Sequence, residues 1–159
     1  MSAAPSIVVG IDGGQASITA LEAAVREAAL RDTDVIAVTC WPASDRHDQA
    51  GPLLCQTFEQ ASELLEHVIH EASWLELDHV SIVREITQSF AGPTLVEASR
   101  HAELIVLGST TRGVDGRHHG RKTIEHCLRY SHSPVLVVPW TAEPLDGIEA
   151  DLLQSSVAG

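Results

Sequence analysis

The sequence predicts one α/β domain: a five-stranded parallel sheet with helices on both faces. Three observations predict it. Short apolar or β-branched runs alternate with stretches of helical periodicity from Ile7 to Val138. Strands joined through helices return in the same direction, so neighbours run parallel and each crossover is right-handed. A chain of 159 residues with 44% hydrophobic content matches one compact domain with a core of its own.

The elements follow in order. Ile7-Val8-Val9-Gly10-Ile11 is a strand that ends at the turn signal Asp12-Gly13-Gly14. From Ser17 to Leu30, Ile18, Leu21, Ala24, Val25, Ala28 and Ala29 recur at helical spacing, a face to lay on a sheet. A second strand, Val35 to Trp41, stops at Pro42, and the polar stretch 43–52 reads as a long loop. Thr57 to Leu75 predicts a helix with Phe58, Ala61, Leu64, Leu65, Val68, Ala72 and Leu75 inward, followed by a strand at Val80 to Ile86. Gly92-Pro93 predicts a break before a short helix from Thr94 to His101. Leu104 to Leu107 reads as a buried strand, Thr123 to Tyr130 as a helix, and Val135 to Val138 as a last strand closed by Pro139. Ile148, Leu152 and Leu153 give the acidic tail 141–159 weak periodicity, so it reads as a frayed end or a short docking helix, just as 1–5 reads as disordered.

Composition excludes whole classes of function. With 22 Asp and Glu against 10 Lys and Arg the net charge is -12, which repels nucleic acid and anionic membrane surfaces and favours small-molecule or protein partners. No apolar run is long enough to span a membrane, and the N-terminus has neither a basic nor an apolar leader-like region, so a cytoplasmic location is expected. Cys40, Cys55 and Cys127 are far apart without a CxxC, which predicts reduced, mostly buried thiols instead of a disulfide frame or thiolate metal site.

Against that acidic background, Leu107 to Lys122 gathers Arg112, Arg117, Arg121 and Lys122 in a Gly-rich loop between a strand and a helix. Such a loop suits an anion, phosphate above all, met by backbone N–H groups and a helix N-terminus; the alternative is a solvated crossover whose arginines soften the acidic field. In an open parallel sheet the ligand crevice lies beyond the carboxyl ends of the strands, where strand order reverses. Asp12-Gly13-Gly14, Cys40-Trp41-Pro42 and the Gly108 loop all fall at such ends.

In this order and spacing, four blocks resemble a single-domain universal stress protein over about Ser6 to Trp140: Ile7 to Gly13, the strand end Val38 to Pro42, Ala102 to Ser109, and Ser133-Pro134-Val135-Leu136-Val137-Val138-Pro139. The resemblance implies a Rossmann-like fold with a domain at 6–140, a homodimer paired through the last strand, and a role in stress tolerance or growth arrest. It also implies ATP or another adenine nucleotide with Mg as ligand, with Asp12 and Gly13 at the end of the first strand and a phosphate motif G-x2-G-x9-G-[ST] after the fourth. Gly108 is then the first glycine, followed by Ser109. Counting back from Pro134, Thr111 stands in the second glycine position and Arg121-Lys122 replace the final pair.

Those replacements matter physically, because Gly permits positive φ and a close backbone approach to phosphate where Thr and Arg obstruct both. Gly113, Gly116 and Gly120 keep the loop flexible, and Arg121, Lys122 and Thr123 at the helix start offer side-chain contacts instead. Gly116 to Thr123 nearly spells a P-loop, but the second glycine is one place early and the first strand is far away, so coincidence explains it better.

The remaining candidates have bland readings beside the sharp ones. Asp12 either holds a ligand or caps its own turn. Cys40 sits at the crevice, yet Val38-Thr39-Cys40-Trp41 reads as packed strand. His118-His119 with His126 is the best metal cluster and lacks a carboxylate or thiolate at ligating spacing; His67 and His70 read as solvated. No G-x-S-x-G, H-E-x-x-H or paired-carboxylate pattern appears, so turnover beyond slow ATP hydrolysis is not expected. Two functional readings result: a dimeric stress-response regulator with weak or absent nucleotide binding, read by protein partners, and an adenine-nucleotide switch using Asp12, Cys40 and the Gly108 to Lys122 loop. An adenylating enzyme is a third and weaker one.

Overall fold

Five strands, β1 (Ser6–Gly10), β2 (Asp34–Trp41), β3 (Ile82–Gln88), β4 (Ala102–Thr110) and β5 (Val135–Trp140), alternate with four helices, α1 (Gln15–Arg31), α2 (Phe58–Glu71), α3 (Ala91–Ala98) and α4 (Arg121–Tyr130). A computed structural model describes residues 4–41, 55–72, 79–110 and 121–140. Every strand pair is parallel and the sheet order is β3-β2-β1-β4-β5, a Rossmann-like arrangement that reverses direction beside β1.

The β-branched alternation of β1 explains why it lies at the centre. Ile7 and Val9 face one layer and Val8 the other, and all three are buried. The first layer is α1 with α2: Ala20, Leu21, Ala24, Val25 and Ala28 from α1 and Leu65 and Val68 from α2 close over Ile7, Val9, Val35, Ala37 and Val106. In the second layer, Leu95 of α3 and Cys127 of α4 pack on Val8, Val38, Ile105 and Leu107. Small residues on α1 bring its axis close to the sheet. Asp32, in left-handed conformation at φ 53°, stops the helix while its N–H reaches back to the Ala29 carbonyl at 3.4 Å.

Four expectations are corrected. Gly92-Pro93 does not break the chain but forms the first turn of α3, where a proline lacks no hydrogen bond because that turn's N–H groups have no helical partner. Phe58 does not point inward; it is the first residue of α2 and is 52% exposed. The helix begins there because Thr57 Oγ1 accepts from the Gln60 N–H at 3.2 Å and Gln60 Oε1 accepts from the Gln56 N–H at 2.8 Å, a reciprocal cap. Pro139 does not close β5, which continues to Trp140 with Ser109 opposite Pro139. An edge strand tolerates proline because one row of its backbone groups has no ladder to serve. Last, β4 runs well past Leu107 to Thr110, carrying Gly108 and Ser109 as strand residues.

Candidate functional site

The carboxyl ends of β1 and β4 adjoin at the reversal of strand order, and the turn after β1 is built around one carboxylate. Asp12 Oδ1 accepts from the Gly14 N–H at 2.9 Å and from the Ser17 hydroxyl at 2.6 Å, while Ser17 Oγ accepts from the Asp12 N–H at 2.9 Å. Ser17 is buried and Asp12 exposed, so the hydroxyl is the anchor and the carboxylate stands at the rim. Gly14 caps α1 without a side-chain bond of its own, so this carboxylate also lies where the helix dipole favours negative charge. Asp12 thus closes its own turn while its exposed carboxylate stands at the strand ends.

The two glycines at this rim are required for different reasons. Gly13 has φ +91°, a conformation other residues rarely adopt, and a Cβ there would lie 2.5 Å from Leu64 Cδ1 of α2. Gly108 is held by proximity alone, since a Cβ on it would lie 2.2 Å from the Ala16 carbonyl oxygen and 2.9 Å from Ala16 Cβ. The first turn of α1 is thus seated directly on the β4 backbone. Close helix–strand contact is one recognised use of a glycine in such folds, distinct from cradling phosphate.

On the far bank α4 starts at Arg121. Its guanidinium donates to Glu125 Oε1 at 2.9 Å, both partners being well exposed, and Lys122 beside it is exposed as well. Thr123 is half-buried in the first turn. Thr111 and Gly113 lie outside the described residues, as do His118-His119, the loop 43–52 and the tail 141–159.

Cys40 stands apart from this group. Its side chain packs with the α3 layer, its Sγ receives the Ser89 hydroxyl at 3.9 Å, and Ser89 and Thr94 share a hydrogen bond of 2.6 Å. Burial pushes the thiol above the ordinary cysteine range; the Ser89 and Thr94 hydrogen bonds pull it back, and the charge of Glu85 adds to the rise. Gly13 and Gly108 instead abut residues of α2 and α1. The structure thus gathers Asp12, Gly13, Gly108 and, beside the last, Ser109 at one rim, and turns Cys40 toward the other layer. Among the described residues no group of three His, Cys, Asp or Glu is placed to hold a metal ion.

Sequence reasoning gave Ser17, Ala16 and Leu64 no part at this rim. Ser17 carried a signal: it lies three, four and seven residues before Ala20, Leu21 and Ala24, on the face that packs against the sheet, where a hydroxyl needs a partner. Nothing in the one-dimensional pattern pairs Ala16 with Gly108. A cavity of about 870 Å³ is lined by none of Asp12, Gly13, Cys40, Gly108 or Arg121; it lies against α3 on the other face of the sheet.

The sequence model of the universal stress protein family matches residues 5–139. A universal stress protein of Mycolicibacterium smegmatis is 30% identical over 145 residues, covering 83% of this chain and 47% of the relative. One of Mycobacterium tuberculosis is 35% identical over 138 residues, covering 84% and 47%. The chain therefore spans about half the length of the curated relatives it matches. Among solved structures, a universal stress protein from Archaeoglobus fulgidus superposes with TM-score 0.65 at 19% identity, covering 86% of this chain and 99% of its own. The same comparison finds an Archaeoglobus fulgidus universal stress protein in complex with dAMP (TM-score 0.62, 17% identity, 87% and 99% covered) and a universal stress protein in complex with cAMP (0.57, 20%, 84% and 96%). Among the described residues no helix is long and apolar enough to cross a membrane.

Proposed function

The chain belongs to the universal stress protein family, and on that footing we propose that it is a cytoplasmic, homodimeric stress-response regulator that takes an adenine nucleotide weakly at the rim of β1 and β4. The observation that carries the ligand is the Asp12 turn. A carboxylate fixed through Oδ1 by Ser17 and Gly14, at the reversal of strand order, is a preorganised acceptor for a ribose hydroxyl or an adenine amine. The dAMP- and cAMP-bound neighbours are consistent with an adenine nucleotide on this fold.

Weak binding follows from the far bank. Gly108 serves helix packing, and Arg121 and Lys122 stand where the family motif has Gly and Ser or Thr. Phosphate must then be met by side-chain charge, with Arg121 exchanging its exposed pair with Glu125, an interaction worth only about 0.2–1 kcal/mol. Magnesium would arrive with a di- or triphosphate as its counter-ion, since Asp12 alone is a poor resident site. The three cysteines of the described residues are free thiols, in keeping with a reducing compartment. The homodimer rests on β5, an edge strand with half-buried Val135 to Val138 that is protected if a second β5 pairs with it; a monomer mass at every concentration would remove that part.

Calorimetry with ATP, ADP, AMP and cAMP, with and without magnesium, on refolded protein stripped of ligand tests the reading. The expected result is micromolar or weaker binding that falls with salt and drops about tenfold in Arg121→Ala combined with Lys122→Ala, a loss on the scale of a charge-assisted hydrogen bond. No heat from any nucleotide would leave the second reading, a dimer recognised by protein partners alone. That reading is favoured by the same Gly108 contact, which gives the first motif glycine a purpose without any ligand.

A further inference from the structure

Parallel strands are ordinarily covered on both faces, because their side chains are apolar on both. Among the described residues, β2 and β3 are covered on one face by α2, while on the other face α3 packs on β1 and β2 and not on β3 to the same extent. Val8, Ile36 and Val83 stand in one row across β1, β2 and β3, and Val83 is 51% exposed although it faces away from solvent-adapted Arg84, which pairs with Glu66 of α2. With Val38 they floor the 870 Å³ groove, and Pro93, Thr94, Glu97 and Ala98 of α3 wall it.

Size and charge define the occupant. The seven residues of β3 span about 23 Å, which matches about 15 residues of α-helix, so the groove is the slot of one further helix in the α3 layer. Asp32, Asp34, Glu85 and Glu97 line it, and among the described residues His79 and His101 do while no Lys or Arg does; with Arg100 engaging Glu97 at 3.0 Å from outside, the lining is acidic overall. Residues 141–159 carry Glu143, Asp146, Glu149 and Asp151 and no Lys or Arg, residues 111–120 carry Arg112 and Arg117 but only Val114 as an aliphatic side chain, and a second copy brings a net charge of -12. Two other stretches do not complement it in charge: residues 42–54 carry Asp45 and Asp48 against Arg46, and residues 73–78 carry Glu76 and Asp78 without Lys or Arg.

We propose that the β1–β2–β3 groove beside α3 is a docking site for a basic amphipathic helix of a partner protein, its apolar face on Ile36, Val83, Pro93 and Ala98 and its lysines or arginines beside Asp32, Asp34 and Glu85. This surface is independent of the nucleotide reading, because none of Asp12, Gly13, Gly108 or Arg121 lines it. Helix-in-groove recognition of this kind reads apolar anchors at i, i+3, i+4 and i+7 and uses charge for orientation and rate.

The probe is a fluorescein-labelled peptide of about 15 residues with leucines on one helical face and lysine and glutamine elsewhere, against a second peptide of identical composition with the leucines scrambled. Fluorescence anisotropy on the full chain should show the amphipathic peptide binding at least about tenfold more tightly than the scrambled one. Val83→Arg, at a half-exposed edge position where the fold should persist, should weaken it by at least about tenfold, and Glu85→Gln should flatten its salt dependence. Equal binding of the two peptides, no binding, or indifference to Val83→Arg would overturn the proposal. So would a solution mass that halves in Val83→Arg, which assigns the face to a second copy, or amide exchange in β3 that quickens when residues 141–159 are deleted, which assigns it to the chain's own end.

Discussion

The two banks of the strand-end rim are fixed by different kinds of physics. On the β1 side, position is set by close contacts: the Ser17 hydroxyl on Asp12 at 2.6 Å, Leu64 over Gly13, the Ala16 carbonyl against Gly108. On the α4 side the described groups are long, exposed cationic side chains, with Arg121 in a pair that solvent largely screens. Geometry on one bank and charge on the other give different responses to mutation. Substitutions near β1 should show in stability, and substitutions at the start of α4 in ligand binding and its salt dependence.

The largest effect should come from Gly108→Ala. The new methyl would sit 2.2 Å from a backbone oxygen that belongs to the first turn of α1, so relief requires the helix to move away from β4. Overpacking of a core usually costs 1–3 kcal/mol, and a backbone obstacle that cannot rotate aside belongs at the top of that range, about 3 kcal/mol. Urea denaturation should show the midpoint falling. A midpoint unchanged within error would mean that α1 is not seated on β4 this tightly, and that Gly108 is left for a ligand after all.

Much of this was legible in the sequence, and the parts that were not share a cause. Element types and order followed from periodicity, because Ile7 to Val9 and Val35 to Val38 read as strand whatever surrounds them. The Asp12 turn, too, was visible as a strand meeting Asp-Gly-Gly. Boundaries went wrong where tertiary context decides: Pro93 enters α3 because a first turn has spare N–H groups, and Pro139 extends β5 because β5 is an edge. The site was legible in its rim and illegible in its contacts. Which layer Cys40 joins, and that Ala16 lies against Gly108, depend on strand order and helix placement, which no local pattern encodes.

Gly13→Ala tests the same bank at a softer contact. Two penalties combine here: φ +91°, which costs a non-glycine residue about 1–3 kcal/mol, and a clash with Leu64, a half-buried side chain packed against the core and not a backbone atom. Adding Leu64→Ala removes the clash and not the backbone strain. The double variant should therefore be less destabilised than the sum of the two singles, by about 0.5–1 kcal/mol of coupling. Strict additivity in a double-mutant cycle would mean that Leu64 does not cover this turn.

Ser17→Ala is the smallest of these changes and the one that best separates scaffold from site. It removes two bonds at once, leaving the Asp12 N–H without its acceptor and Oδ1 with the Gly14 N–H alone among its described donors. The expected loss is about 1–2 kcal/mol, the cost of an unsatisfied group in a part-buried turn. If the Asp12 carboxylate is also the ligand acceptor, nucleotide affinity should fall in the same variant even after the stability loss is offset by working well below the melting temperature, because a carboxylate free to swing must be ordered again on binding. Lost stability with unchanged affinity would confine Asp12 to closing its turn. The rim would then be a place where both banks exist and only the charged one, from Arg121 onward, meets anything from outside.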